Sequence, residues 1–392
     1  MVAAAVALAG CGGANAGRGT PEPAGGVPAE PVVDPGGVPI VDRSRHSVPL
    51  GEVVFDTFDG RFVPLESASE ARVRAVRDAI RPVYRPRHGS ARALPWLGDD
   101  DLVIGVAGAG GAYAYPVKVL NVREIVNDVI AGRPIVVTYC PLCGSGVVYS
   151  RALAGRTLAF GNTSALYESD LVMYDHQTGS YWFQVVGQAI VGRLTGERLE
   201  PLPSATMPWA RWRRLHPDTR LLAGDGDDRF DDRYAEDAFA AYPASVDRGE
   251  FAFPVSKPKL DRRLRAAEVV VAVAAGGDSR AYPVERIGTA AVNDELSGVP
   301  VVVFVRRGAD APFRASARGR RLTFELRDGR FVDRQTRTTW DLAGRAVAGP
   351  LQGVTLEPLP SRRAFWFSIA IAEPGIGIHA SRGRSRGRAS LP

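Results

Sequence analysis

The feature that most constrains this chain is a sequence that it states twice. Ala114-Tyr115-Pro116-Val117 returns as Ala281-Tyr282-Pro283-Val284, and Val126-Asn127-Asp128 as Val292-Asn293-Asp294. Asp175-His176-Gln177-Thr178 with Trp182 matches Asp333-Arg334-Gln335-Thr336 with Trp340, and Leu199-Glu200-Pro201-Leu202-Pro203-Ser204 returns as Leu356-Glu357-Pro358-Leu359-Pro360-Ser361. The order is the same throughout, so low complexity does not account for it. Two copies are too few for a solenoid; they predict a pair of lobes. Each copy opens with an apolar strand pair and continues into a short helix, read over Val117–Asp128 in the first. Short strands separated by Gly-containing turns follow. The expected fold class is α+β, mostly antiparallel β with short helices, internally duplicated as two pseudo-symmetric lobes. The first lobe is read over 101–224, the second over 268–374, with an acidic and aromatic connecting segment at 225–267. An N-terminal hairpin and helix occupy 48–100, where Thr57-Phe58-Asp59-Gly60 marks the turn and Ser69 caps a helix over Ser69–Ile80. His88, in a Pro-rich loop, is expected to be solvated.

The net charge of +6 suggests a nucleic-acid partner, but only Lys118, Lys257 and Lys259 are lysines. The remaining positive charge is arginine interleaved with Asp and Glu, without the clustered patch that nucleic-acid binding needs. No nucleic-acid partner is expected.

The N-terminus points elsewhere. Val2–Ala9 is apolar but too short to span a membrane, and Leu8-Ala9-Gly10-Cys11 has the form of a bacterial lipobox. Residues 1–11 are therefore read as a lipoprotein signal segment ending at a lipidated Cys11, with the membrane, reached through that lipid, as a partner. Residues 12–47, rich in Pro and Gly, read as a flexible tether, and 375–392 as a disordered basic tail. Lipid and tether place the folded part in the cell envelope on the extracytoplasmic face, where disulfides persist.

What the two copies do not share marks the candidate site. The first has Cys140-Pro141-Leu142-Cys143-Gly144 where the second has Arg306-Arg307-Gly308-Ala309-Asp310. It also carries Asn162-Thr163-Ser164-Ala165-Leu166-Tyr167-Glu168-Ser169-Asp170 where the second has almost nothing. A Cys-x-x-Cys turn between two apolar runs admits three chemistries. It can hold a soft or borderline metal ion, Cu or Zn, with Met173, Asp175 or His176 as further ligands because they are the nearest donors in sequence. It can be a redox pair, although strands flank it instead of the helix start that lowers a thiol pKa. It can also be a structural disulfide. Asn162, Tyr167, Glu168, Ser169 and Asp170 are the residues expected along a cleft. Glu168 and Asp170 also form a candidate carboxylate pair, for which the bland reading is solvated loop acids. Asn127-Asp128, shared by both copies, reads as a helix end. Neither a phosphate loop nor a nucleophile elbow between a strand and a helix is read.

Asp101–Val106, Ala114-Tyr115-Pro116, Glu124-Ile125-Val126-Asn127-Asp128, Thr138–Ser145, Tyr167–Leu171, Asp175–Trp182 and Leu202-Pro203-Ser204 together resemble a family of uncharacterised prokaryotic proteins. That family is defined by a Thr-Tyr-Cys-Pro-Leu-Cys-Gly motif and catalogued as a domain of unknown function. The resemblance implies no activity. Where the family often has Trp-His-Glu, this chain has Val122-Arg123-Glu124, so any histidine ligand in that motif is absent here. The function expected is a metal-binding or thiol-redox accessory lipoprotein of the envelope. The alternative is a non-catalytic binding or scaffold module in which Cys140 and Cys143 form a structural disulfide.

Overall fold

The computed structural model describes residues 37–56, 61–108 and 110–380. The architecture is mostly antiparallel β with short helices. The chain opens with a hairpin, β1 (Val53–Asp56) and β2 (Phe62–Pro64), whose turn lies outside the described residues. Helix α1 (Glu70–Val76) follows, with the Ser69 hydroxyl accepting from Arg72 N, and then β3 (Pro86–Gly89). The first half proper runs through β4 (Leu102–Gly108), β5 (Gly111–Pro116), α2 (Val117–Arg123), β6 (Ile125–Ile130), β7 (Arg133–Cys140) and β8 (Ser145–Ser150). It continues with β9 (Ala152–Leu153), β10 (Arg156–Thr157), β11 (Phe160–Tyr167), β12 (Asp170–Asp175), β13 (Tyr181–Phe183), β14 (Gln188–Val191), β15 (Ala205–Pro208), α3 (Trp209–Leu215) and β16 (Arg220–Asp225). A short β17 (Asp228–Arg229) and α4 (Tyr242–Asp247) lie in the connecting segment.

The second half has β18 (Val269–Ala275), β19 (Asp278–Pro283), α5 (Val284–Ile287), β20 (Ala290–Leu296), β21 (Val299–Arg306) and β22 (Ala309–Arg314). After these come β23 (Ser316–Ala317), β24 (Arg320–Arg321), β25 (Phe324–Arg327), β26 (Arg330–Asp333), β27 (Thr339–Trp340), β28 (Ala346–Ala348), β29 (Ser361–Phe365), α6 (Trp366–Ala372) and β30 (Gly377–Ile378). Its pairings follow those of the first half. β15-β4-β5-β16 form one sheet, with β5 and β16 parallel. β29-β18-β19-β30 pair in the same way, with β19 and β30 parallel.

The halves do not close as two separate lobes. One seven-stranded sheet, β30-β19-β18-β29-β8-β7-β6, joins strands of both through the pairing of Arg363 with Gly146. One apolar cluster packs Ile104, Trp212 and Leu221 with Phe304, Phe313 and Leu356. Another packs Tyr174 and Ile190 with Trp366 and Ile376. The spans 101–224 and 268–374 are therefore stretches of sequence, not independently closed bodies.

Several boundaries differ from the sequence reading. The tether does not extend to 47: Val38 and Val41 are buried, and the Arg77 guanidinium donates to the Val38 and Pro39 carbonyls. The tail does not begin at 375, because Ile376 is buried and His379 Nδ1 lies 3.1 Å from Asp294 Oδ2. Helix α2 stops at Arg123, since Ile125-Val126 favours a strand and pairs with β7. Asn127-Asp128 therefore sits on β6, not at a helix end. There Asn127 exchanges two hydrogen bonds with the Phe160 backbone, and Asn293 does the same with Phe324. His88 is on a strand, with its Nε2 3.0 Å from Asp128 Oδ2 and its ring edge-on to Tyr113 and Tyr115. Cys11 and residues 381–392 lie outside the described residues. No described helix is long and apolar enough to cross a membrane.

Candidate metal centre

Two hairpins meet to build the site. The first is β7–β8, joined by Pro141-Leu142-Cys143-Gly144. Cys143 N donates to the Cys140 carbonyl and Gly144 N to that of Pro141, which folds the thiols onto one side. Gly144 is required twice over. Its φ is +56°, and a Cβ there would lie 2.8 Å from the Phe365 ring. The second half seals this turn, since Phe365 N of β29 donates to the Cys143 carbonyl at 2.8 Å.

The second hairpin is β11–β12. A bulge between Asn162 and Ala165 bends it beside the site, as bulges commonly do. Its two-residue tip, Glu168-Ser169, has φ of +52° and +61°, the type I′ geometry that favours glycine. The tip reaches the cysteine turn: the Ser169 carbonyl accepts from the Cys143 thiol at 3.2 Å and lies 4.0 Å from Cys140 Sγ. One ligating atom each from Cys140, Cys143 and Asp170 falls within a 4.8 Å group, and all three residues are buried. This is the one such group of three or more His, Cys, Asp or Glu side chains among the described residues.

The surroundings fix the carboxylate. Val185 N donates to Asp170 Oδ2 at 2.9 Å, while Gln184 holds Ser145 and Thr138, each at 2.7 Å. Burial pushes the Asp170 carboxyl up to about 6, against the opposing effect of the Cys143 thiol. Burial also raises both thiols, Cys143 the further. A fourth ionisable group is close. Glu124 is fully buried at the end of α2 with φ +56°, and it accepts from Asn162 Nδ2. Burial, reinforced by the Asp170 charge, lifts its carboxyl to about 8.

A strap covers the assembly. Phe239, Tyr242, Phe251, Phe253 and Val255 of the connecting segment pack on the apolar cluster that holds both cysteines. It is latched at the hairpin tip, where Glu168 accepts from Ser256 N at 2.7 Å and from Lys259 Nζ at 2.5 Å.

Sequence proximity thus chose some wrong partners. Asp175 spends its carboxylate on Thr178 and on Trp182 Nε1, as Asp333 does on Thr336 and Trp340. It is a turn pin found in both halves, not a ligand. His176 is stacked on Tyr174, with Nε2 2.9 Å from the Tyr84 hydroxyl. Met173 is fully buried in the same apolar cluster as the thiols. Asn162, Tyr167, Glu168, Ser169 and Asp170 line no cleft: all five are buried, because the hairpin tip folds under the strap. Glu168 and Asp170 do not act as a pair, one being bound to Lys259 and the other lying at the thiols. Cys140 and Cys143 are free thiols in this structure. Glu124 was missed. No sequence signal marks it; in the structure the corresponding helix end of the second half is capped by glycine, Gly288 at φ +72°.

No curated protein and no solved structure matches the chain. A family model described as "Protein of unknown function (DUF3179)" matches residues 77–375, from just after α1 to the end of the second half. That span covers most of the sequence and both hairpins of the site, and the chain belongs to this family.

Proposed function

We propose that this protein is a metal-binding accessory protein of the cell envelope, anchored through a lipid on Cys11, with Cys140, Cys143 and Asp170 as its ligands. We read its fold as one domain built twice. In this reading the Thr-Tyr-Cys-Pro-Leu-Cys-Gly run is the signature of the family's site. The observation that carries the proposal is the 4.8 Å convergence of two thiols and a carboxylate from separate hairpins.

The donor set favours a borderline ion. Two sulfurs suit Cu(I) or Zn²⁺, but a carboxylate oxygen fits Zn²⁺ better. Three protein donors leave a fourth position, and Glu124, whose charge acts on Cys140 and which itself responds to the Asp170 charge, is this chain's own candidate for it. A bound cation would supply the positive charge that lets buried thiols ionise. Without one they stay protonated, which makes them poor nucleophiles and disfavours the thiol-redox reading. In the metal-free protein a protonated Glu124 limits the negative charge the site has to bury. Ser169 adds a pointer: it is fully buried beside Cys143, and its hydroxyl has no hydrogen-bond partner of good geometry.

The test is metal content by mass spectrometry on the full-length chain carrying Cys11→Ser, with free thiols counted in the same sample. About one zinc per chain is expected, falling below a tenth in Cys140→Ser at unchanged folding. A metal-free protein whose two thiols react only after reduction would return the site to a structural disulfide and overturn the proposal.

A further inference from the structure

A second feature lies well away from the cysteine turn. A cavity of about 570 Å³ opens where β4, β5 and α3 face β22 and the loop after β27. That is the size of a small-molecule site. We propose that it binds an uncharged, mainly apolar small molecule carrying one hydrogen-bonding end.

The walls supply the apolar part: Met207, Trp212, Phe313, Leu342 and Leu356 face it from both halves. The floor is backbone. Gly105, Gly108 and Gly111 line it, and a Cβ at Gly108 or Gly111 would meet nothing within 4 Å. At Gly105 the reason differs: a Cβ there would be 2.2 Å from the Trp212 ring, so glycine lets that ring lie against β4.

Charge decides the class of ligand. The one arginine at the cavity, Arg345, spends its guanidinium on Asp341 and on the Leu215 carbonyl. His216 lies 4.2 Å from the Trp212 ring, measured between ring centroids, and burial together with Arg345 holds its pKa down to about 4. At neutral pH it is an uncharged hydrogen-bonding group. No free positive charge remains to hold a carboxylate or phosphate, so an anionic ligand would lose its hydration without compensation; the one carboxylate in the lining, Asp218, is exposed to solvent and so does not call for a cationic ligand.

The other half of the molecule supports a use for this space. Helix α6, which stands where α3 does, buries every residue from Trp366 to Ile371, with Trp366, Ile369 and Ala370 packed with Val185 and Ile190, and Phe367 and Ile371 in the cluster that holds the cysteines. Helix α3 buries only Trp209 and Trp212. One interface is filled, the other hollow. The cavity shares no residue with the cysteine site, so it stands or falls independently of the metal.

The experiment uses the full-length Cys11→Ser chain and two probes of similar shape. N-phenyl-1-naphthylamine is neutral, and 8-anilinonaphthalene-1-sulfonate is anionic. The neutral probe is expected to bind at micromolar concentration, to quench Trp212 by energy transfer, and to be displaced by decanol but not by decanoate. Ala343→Phe, placed in the cavity wall, is expected to weaken it at least tenfold at unchanged melting temperature. If that variant fails to fold, Gly108→Phe provides the same reading from the opposite wall. Absence of neutral-probe binding, preference for the anionic probe, or undiminished affinity in a folded filled variant would each overturn the proposal. Cys140→Ser should leave probe binding intact.

Discussion

The two halves solve the same backbone problems with different residues, and they differ where the thiols are. The tip of the β25–β26 hairpin is Asp328-Gly329, with φ of +49° and +71°. That is the residue pair type I′ turns favour. The tip of β11–β12 has the same conformation with Glu168-Ser169. Turns at Ala131-Gly132, Ala154-Gly155, Ser297-Gly298 and Arg318-Gly319 also place glycine second. The helix ends repeat the contrast, with Gly288 in the second half and Glu124 in the first. A non-glycine residue in the left-handed region costs about 1–2 kcal/mol. The first half accepts that cost at Ser169 and Glu124, which border the cysteine site, while the second half accepts it at Arg337 where the first has Gly179. Strain persists where surrounding structure enforces it, and it concentrates at sites. The second half shows what the scaffold alone requires, and subtracting it leaves the site.

The largest test of that subtraction sets two aspartates of one strand against each other. Asp170→Asn is expected to lower zinc affinity about 1,000-fold, equivalent to about 4 kcal/mol, measured by competition with a chromogenic chelator. Asp175→Asn should keep affinity within a factor of two or three while lowering stability by about 2 kcal/mol, because it leaves buried donors unpaired. Asp333→Asn should cost about the same in the second half. Equal losses of affinity from Asp170→Asn and Asp175→Asn would end the distinction between ligand and pin.

Of similar size is the pH response of the metal-free protein. Asp170 and Glu124 have folded-state pKa values near 6 and 8, above the ordinary carboxylate range. Between its unfolded and folded pKa, such an acid holds more protons folded than unfolded. Its contribution is therefore complete below about pH 4 and is lost as pH rises through about 6 and then about 8. The unfolding free energy of metal-free protein, measured by denaturant titration, should fall by on the order of 5 kcal/mol from about pH 5 to about pH 8. With zinc the slope should flatten, because the ion then holds the deprotonated ligands. A midpoint that rises with pH in the metal-free protein would mean that these carboxyls are not held protonated by burial.

The cysteine turn and the residues around Asp170 are legible because the second half of the sequence carries neither. That comparison located two separate stretches, but it could not show that they meet. The meeting depends on a bulge at Asn162 and on hairpin register, and neither leaves a residue signature. Choosing Asp175 and His176 as ligands followed from closeness in sequence. Asp175 recurs as Asp333, and the matching Trp hydrogen bonds show both at work in turns. Glu124 is hidden in the sequence because a helical period runs through it: apolar positions at 119, 120, 125 and 126 fit a helix, while the β-branched pair Ile125-Val126 belongs to a strand. The interleaving of the halves was equally invisible, since a repeat specifies pairings within a copy and says nothing about which copy's sheet edge they join.

A smaller effect is expected at the strap. Lys259→Ala removes the latch on Glu168 and leaves that buried carboxylate with the Ser256 amide. Thiol labelling of metal-free protein should become about tenfold faster, corresponding to about 1.4 kcal/mol easier local opening. An unchanged rate would mean that the thiols are reached by another route.

The smallest effect sharpens the comparison most. Ser169→Gly gives the first hairpin the glycine that the second already has. It relieves the left-handed strain and removes a buried hydroxyl whose one neighbour, the Tyr242 hydroxyl, is not in good hydrogen-bond geometry, against the greater freedom of glycine in the unfolded chain. The net gain should be about 0.5–1 kcal/mol. Gly329→Ser should cost about the same in the second half without touching zinc affinity. If Ser169 is there for the metal, Ser169→Gly will stabilise the metal-free protein and weaken zinc binding together, through a looser Ser169 carbonyl and the lost hydroxyl. Stabilisation with unchanged affinity would show that the residue is tolerated there without serving the site, and the strain at this tip would then say nothing about function.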